Sequence, residues 1–273
     1  MTYKRMDAYA ESCRAVGFAE TTIQDRRELL TRVESAAGEL FTVTPAKLTK
    51  WLAHPGWSAQ TRATYHGHLH AYFIWAVRSG HITADPMLHL DRPKVPKRSP
   101  RPASQETYRQ IMALAERRWQ LAATLARYAG LRASEIARLD RADVDVEDLR
   151  VLGKGGRRDA LPTHPEVWAL VRDAPDGRLV LNPRGLPYSP PGISHAFGTR
   201  MRALGLPRPL GLHMFRHLYA TSLLRDPQDG GAGANLRVVQ ELMRHASPAT
   251  TAVYTQVTDR ERRRAVFALP AAA

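Results

Sequence analysis

The sequence predicts a mainly α protein built as two helical halves, the second carrying a small β-hairpin. Three observations predict it. Apolar residues recur at helical spacing in both halves, a basic proline-rich segment separates the halves, and one strand, Gly-rich turn, strand pattern lies near the middle.

In the first half, "ETTIQDRRELLTRVESAAG" brings Ile23, Leu29, Leu30 and Val33 near helical spacing and stops at Gly38. "TPAKLTKWLAH" places Leu48, Trp51 and Leu52 on one face. "SAQTRATYHGHLHAYFIWAVRSG" runs from an N-cap at Ser58 to Gly80, with Tyr65, Leu69, Tyr72, Phe73 and Ala76 as its apolar stripe. These aromatics read as core rather than as a base-stacking platform, and the half reads as a bundle of four or five helices. The segment "DRPKVPKRSPRPAS" then shifts composition. Its four prolines exclude a regular helix and disfavour a central strand, while Arg92, Lys94, Lys97, Arg98 and Arg101 make it strongly basic. Composition alone is satisfied equally by a solvated spacer and by a strand that tracks a phosphate backbone.

In the second half, "SQETYRQIMALAERR" starts a capped helix with Tyr108, Ile111, Met112 and Ala115 on one face, and a further helix ends at Gly130. Ser134 is the expected cap of "SEIARLD", which puts Arg132 in the tight connection between helices. "LRVLGKGGRRDALP" reads as a hairpin presenting Lys154. Thr163 and Glu166 fit a capping box before "PEVWALVRDA". Helices are expected from Ser189-Pro190 to near Gly205, and over "GLHMFRHLYATSLLRD", "NLRVVQELMRHA" and "SPATTAVYTQV".

Charge narrows the partner. Forty Lys and Arg against 26 Asp and Glu give a net charge of +14 in 273 residues, which favours a polyanion through long-range attraction and counterion release. Nucleic acid fits better than a membrane surface, because no concentrated basic amphipathic stretch stands out. The single cysteine, Cys13, excludes an intramolecular disulfide and Cys/Cys metal sites. "MTYKRMDAYAES" lacks an apolar signal core, and no apolar run approaches membrane-spanning length, so a cytoplasmic protein is expected.

Taken singly, the chemical motifs are weak. His213 and His217 have the spacing of a zinc pair, but Met214 stands where that motif needs its glutamate base. His213 and Arg216, three apart on a helix, can reach one target, and an arginine fork with an imidazole suits phosphate oxygens. "GKGGRR" lacks the ending of a phosphate-cradling loop and is flanked by strands. Lys154 at its tip is either turn chemistry or a proton donor on a mobile finger. Arg132 beside Glu135, His245 and Tyr254 each fit a structural role when read alone.

In order, however, Arg132, Lys154, His213-x-x-Arg216, His245 and Tyr254 resemble the tyrosine recombinases, the lambda-integrase family of site-specific DNA recombinases. The resemblance runs through "GLRASEIARL", "GKGGRRDALP", "LHMFRHLYAT", "LRVVQELMRHAS" and "TTAVYTQV". "WSAQTRATYHGHLHAYFIWAVRSGHITADP" resembles the helical core-binding domain of that family. The resemblance implies a SAM-like core-binding domain over residues 1–91, a linker over 92–103 and a mostly helical catalytic domain with a C-terminal tail over 104–273. Together they are expected to form a C-shaped clamp on DNA.

The chemistry of a phosphodiester fits that set. Its negative charge repels a nucleophile and grows on the non-bridging oxygens in the transition state. Arg132 and Arg216 would clamp those oxygens and His245 would add a hydrogen bond, donors worth ~3–4 kcal/mol each at comparable sites. Tyr254 is the expected nucleophile, giving a 3′-phosphotyrosine and a free 5′-hydroxyl. The resemblance gives His213 a share in taking the tyrosine proton and Lys154 the protonation of the departing oxygen. Glu135 is assigned a supporting, orienting role. Neither a cofactor nor a metal ion is expected.

Expected partners are double-stranded DNA at short paired core sites, three further copies in a synaptic homotetramer, and an accessory directionality or DNA-bending protein. The expected setting is the host cytoplasm, at the nucleoid, with integration or excision of a phage or mobile element as the role. Chromosome-dimer resolution, a type IB topoisomerase-like enzyme and a catalytically inactive DNA-binding relative are the alternatives. Three features depart from the family. "MRH" replaces Leu-Gly-His and puts Met243 and Arg244 beside the site. "PQDGGAGA" lengthens the connection before "NLRVV", with Asp229 to Gly233 read as a flexible surface loop. The arm-site domain of larger integrases is expected to be absent, and the tail "TDRERRRAVFALPAAA" to dock on a neighbouring subunit.

Overall fold

The computed structural model describes residues 2–96, 101–153, 156, 158–206 and 210–244, with side chains from residue 6. The chain divides into two compact units, residues 1–98 and 99–273. Lys97, Arg98, Lys154, His245, Tyr254 and the helix expected over residues 247–257 lie outside the described residues.

The first unit contains α1 (Thr2–Ala15), α2 (Glu20–Ala37), α3 (Pro45–Leu52) and α4 (Ala59–Arg78). α1 has no matching expectation in the sequence; the other three follow their apolar spacing and caps. Thr44 Oγ1 accepts from Lys47 N, with Pro45 supplying a preset first helical residue, and Ser58 Oγ accepts from Thr61 N at 3.0 Å. The core holds Leu29, Leu30, Val33, Leu48, Leu69 and Phe73. Tyr72 meets Tyr9 edge-on at 5.1 Å, so this part of the aromatic stripe is core. Within α4, His66 Nε2 pairs with the Leu90 carbonyl at 2.8 Å and ties the segment after the helix back to it.

The second unit is built around α6 (Arg117–Tyr128), whose residues Leu121 to Ala126 are all buried. Three alanines in that run keep the helix thin enough to be packed by α5 (Gln105–Leu114), α7 (Ala133–Ile136), α8 (Pro165–Val171) and α10 (Leu212–Leu224). α9 (Pro190–Ala203) and α11 (Leu236–Leu242) complete the helices of this unit among the described residues. A buried hydrogen bond of 2.9 Å between Tyr108 and Thr124 hydroxyls satisfies both inside the core. The strands β1 (Asp148–Leu152) and β2 (Arg158–Pro162) pair antiparallel, Val151 opposite Asp159 and Leu149 opposite Leu161. Leu149, Val151 and Leu161 turn inward, which anchors the hairpin on the helical core.

Four expectations need correction. The stretch read as one helix from Ser104 breaks at Ala115, which is extended, and α6 starts anew after Glu116. Arg132, not Ser134, is the N-cap of α7. His164, not Thr163, caps α8, its Nδ1 accepting from Glu166 N at 3.1 Å. The loop read as flexible is pinned: a 3₁₀ turn over Pro227–Asp229 is followed by hydrogen bonds from Gly233 N to Arg225 O and from Ala234 N to Leu223 O.

The approach from the basic segment is explicit. Arg92, Lys94 and Arg101 are exposed, while Ala103 is buried and donates its N–H to the Met214 carbonyl at 3.1 Å. Ser104 Oγ then accepts from Thr107 N at 2.9 Å and starts α5. Ser104→Ala is expected to cost ~1 kcal/mol of stability through the lost cap. Ser104→Asp keeps an acceptor and should retain most of it, which denaturant midpoints of the two variants will check.

Candidate active site

α6 ends in a turn that brings Arg132 beside α10. Gly130 has φ +61°, and a Cβ there would lie 2.5 Å from the Tyr219 ring. The left-handed backbone and the close approach of α10 thus both require glycine. Two residues on, Arg132 is extended and its backbone N–H donates to Glu135 Oε2 at 2.7 Å. Its Nη1 donates to Glu135 Oε1 at 2.9 Å, so one carboxylate fixes both the main chain and the guanidinium. Glu135 is buried, whereas the Arg132 side chain is 40% exposed.

Arg216, on the second turn of α10, is only 1% exposed. It donates through Nη1 to the Gly130 carbonyl and through Nη2 to the Met243 carbonyl. Buried guanidinium is thereby supplied with acceptors from two separate turns. His213, one turn earlier on α10, is exposed, so the pair shares a helix but not a depth. Its pKa is lowered, first by partial desolvation of the ring and then by the charges of Arg216 and Arg132. A neutral imidazole at neutral pH can accept a proton. The His213 and His217 rings meet edge-on at 4.2 Å.

The segment that leads into His245 joins the same cluster. Met243 is buried among Ala220 and Val239, and its carbonyl accepts from Arg216. The Arg244 carbonyl accepts from Arg132 Nη2 at 3.4 Å, and Arg244 Nη2 reaches Glu135 Oε2 at 2.7 Å. Arg132, Glu135, His213 and Arg216 are thus brought together. Sequence reasoning missed the part played by Gly130 and Arg244. The replacement of Leu-Gly-His by "MRH" was the visible signal for the latter.

A cluster of three arginines, a buried carboxylate and an imidazole of lowered pKa is suited to binding a phosphodiester. The sequence profile of the phage integrase family matches residues 103–261. The tyrosine recombinase XerC of Mycobacterium bovis is 31% identical over 271 residues, covering 89% of each chain. The chain belongs to the phage integrase family. The XerC of Mesorhizobium japonicum is 32% identical over 243 residues, 80% of this chain and 76% of its own. A lambda integrase dimer bound to a COC′ core site superposes with a TM-score of 0.76 at 20% identity, over 95% of this chain and 96% of that one. That likeness shows the fold. This family member is a tyrosine recombinase, an enzyme that cleaves and rejoins DNA strands by transesterification.

Two outcomes follow from the geometry. Gly130→Ala adds a clash with Tyr219 to a disfavoured φ, and should destabilise the chain by ~1–3 kcal/mol or more, read as a lowered denaturant midpoint. The second concerns pH. Because folding lowers the His213 pKa, the unfolded chain binds more protons at this position, so its contribution to stability falls as pH drops below about 6.5. DNA cleavage should lose the neutral imidazole only below that same value. Titration of the His213 ring by NMR, with His213→Gln as the assignment control, should give a midpoint below that of a free histidine.

Proposed function

We propose that this recombinase cuts DNA with Tyr254, its hydroxyl oxygen attacking phosphorus to form a 3′-phosphotyrosine while the 5′-oxygen leaves. Arg132 and Arg216 bind the non-bridging oxygens and His245 donates a further hydrogen bond. His213 assists removal of the tyrosine proton, and Lys154 delivers a proton to the departing 5′-oxygen. Rejoining reverses these steps with a 5′-hydroxyl from another strand, so the phosphodiester energy is conserved and no nucleotide is hydrolysed. The observation that carries the reading is the mooring of Arg132 and Arg216 to the turn at residues 243–244, immediately before His245.

The substrate is double-stranded DNA at short paired core sites, bound by a core-binding domain over residues 1–91 and by the catalytic domain over 104–273. The basic segment over 92–103 crosses the backbone through Arg92, Lys94, Lys97, Arg98 and Arg101. Four copies act in the synaptic complex, each tail docked on a neighbour, with an accessory protein setting direction. Support comes from the net charge of +14 and from lambda integrase structures solved as a dimer on a core site and as a tetramer on a Holliday junction. Among the described residues no helix is long and apolar enough to cross a membrane.

Integration and excision of a phage or mobile element is the role we favour. Similarity to XerC over most of the chain favours a second role, chromosome-dimer resolution. Covalent capture tests both. Wild type and Tyr254→Phe are incubated with fragmented host and element DNA in EDTA and denatured, and the ends of protein-linked DNA are sequenced. Adducts are expected only with wild type, at paired inverted repeats. Ends at the element boundaries support integration; ends at one chromosomal locus in element-free DNA support dimer resolution. Scattered adducts would indicate topoisomerase-like relaxation, and binding without any adduct an inactive relative.

A further inference from the structure

Arg244 stands where the family pattern has glycine, and it occupies a glycine conformation. Among the described residues it is the one non-glycine residue at positive φ, 51°. An L side chain adopts that backbone at a cost, so something must hold it there. Its side chain does not turn to solvent: exposure is 7%, with Nη2 2.7 Å from Glu135 Oε2 and Nη1 donating to the Leu242 carbonyl at 3.2 Å. A buried guanidinium is tolerated because a buried carboxylate meets it.

That carboxylate is already occupied. Glu135 Oε1 takes Arg132 Nη1 and Oε2 takes the Arg132 backbone N–H, so Arg244 shares Oε2 with the main chain of Arg132. The exchange is returned, because the Arg244 carbonyl accepts from Arg132 Nη2. Arg132 therefore touches Arg244 twice, once directly and once through Glu135. A glycine at this position would relax the backbone but leave the turn before His245 without its ionic tie to α7.

We propose that Arg244 is a positioning residue of the recombination reaction. It sets the Arg132 guanidinium through Glu135, and in the same contact holds the Met243–Arg244 turn against α7. In this role it acts through Glu135 rather than on the phosphate. The proposal rests on the assignment of Arg132 as a phosphate ligand made above.

The test compares wild type with Arg244→Gly and Arg244→Lys on the DNA that wild type captures covalently. Arg244→Gly should lower the single-turnover rate of adduct formation at saturating protein about 10- to 100-fold, the scale of a small misplacement of catalytic groups. DNA affinity should be unchanged. Arg244→Lys should recover part of the rate, because an ammonium still reaches one Glu135 oxygen, and added methylguanidinium should partly rescue Arg244→Gly. In a Glu135→Gln background the Arg244→Gly effect should largely vanish, since both changes cut the same link. A wild-type rate for Arg244→Gly, lost affinity at an unchanged rate, or full additivity with Glu135→Gln would overturn the proposal. A readout without activity separates this from the assignment of Tyr254. The Nε–Hε NMR resonance of Arg132, assigned with Arg132→Lys, should shift in Arg244→Gly and return in Arg244→Lys. An unmoved resonance refutes the positioning role whether or not an adduct forms, whereas a shifted resonance with no wild-type adduct refutes the nucleophile instead.

Discussion

One buried carboxylate organises the catalytic unit. Glu135 lies between the guanidiniums of Arg132 and Arg244, at 2.9 and 2.7 Å, and also accepts the backbone N–H that opens α7. Breaking a buried ion pair from one side typically costs ~3–5 kcal/mol, a scale that applies to Arg244 and Glu135, whereas the part-exposed Arg132 pair is screened and weaker. With Arg216 nearby, cations exceed anions in the cluster. That excess is uncomfortable in a protein interior unless dipoles or a ligand offset it. Arg216 takes the first route, donating to the carbonyls of Gly130 and Met243. A DNA phosphate would supply the second, which explains why a site this positive is built at all.

The same arrangement grades the side chains by depth. Arg216 is buried and locked by carbonyls from two turns, Arg132 is half exposed, and His213 is at the surface. Burial and two carbonyl acceptors fix Arg216 most tightly, while Arg132 and His213 keep more freedom. The arginines also act on the histidine at a distance, since their charges add to desolvation in lowering the His213 pKa. Phosphate neutralises part of that charge when it binds. The imidazole would then become more basic as the substrate arrives, which is the direction a proton acceptor requires.

Helix periods, the hairpin and the caps at Ser58, Ser104 and Ser189 were legible in the sequence because each is a local signal: a hydroxyl before an apolar repeat, or alternating residues around glycines. His164 shows where local reading stops. A Thr-x-x-Glu pattern stood one residue earlier, yet the imidazole Nδ1 took the N–H of Glu166. The break at Ala115 was hidden for a similar reason, as "ALAERR" is composed of good helix formers and only packing around α6 decides the register. Arg132, Glu135, His213 and Arg216 were visible as an ordered set, but not their depths. Arg244 was visible only as a departure, because a non-glycine residue in the left-handed region is disfavoured intrinsically and is paid for by a partner 109 residues away.

Two constraints of different kind meet at the turn formed by Met243 and Arg244. One is apolar: Met243 and Val239 bury against Ala220, seating α11 on α10. The lengthened connection serves this seating, since Ala232 N and Ala234 N bond back to the carbonyls of Ser222 and Leu223 and hand the chain to the Asn235 cap. The other is ionic and comes from Arg132, Glu135 and Arg216. Hydrophobic seating is non-directional and fixes roughly where the turn lies, whereas charged hydrogen bonds fix its orientation. A turn held by only the first could slide without much cost. Held by both, the Met243–Arg244 turn keeps its place on α10 and its orientation toward α7.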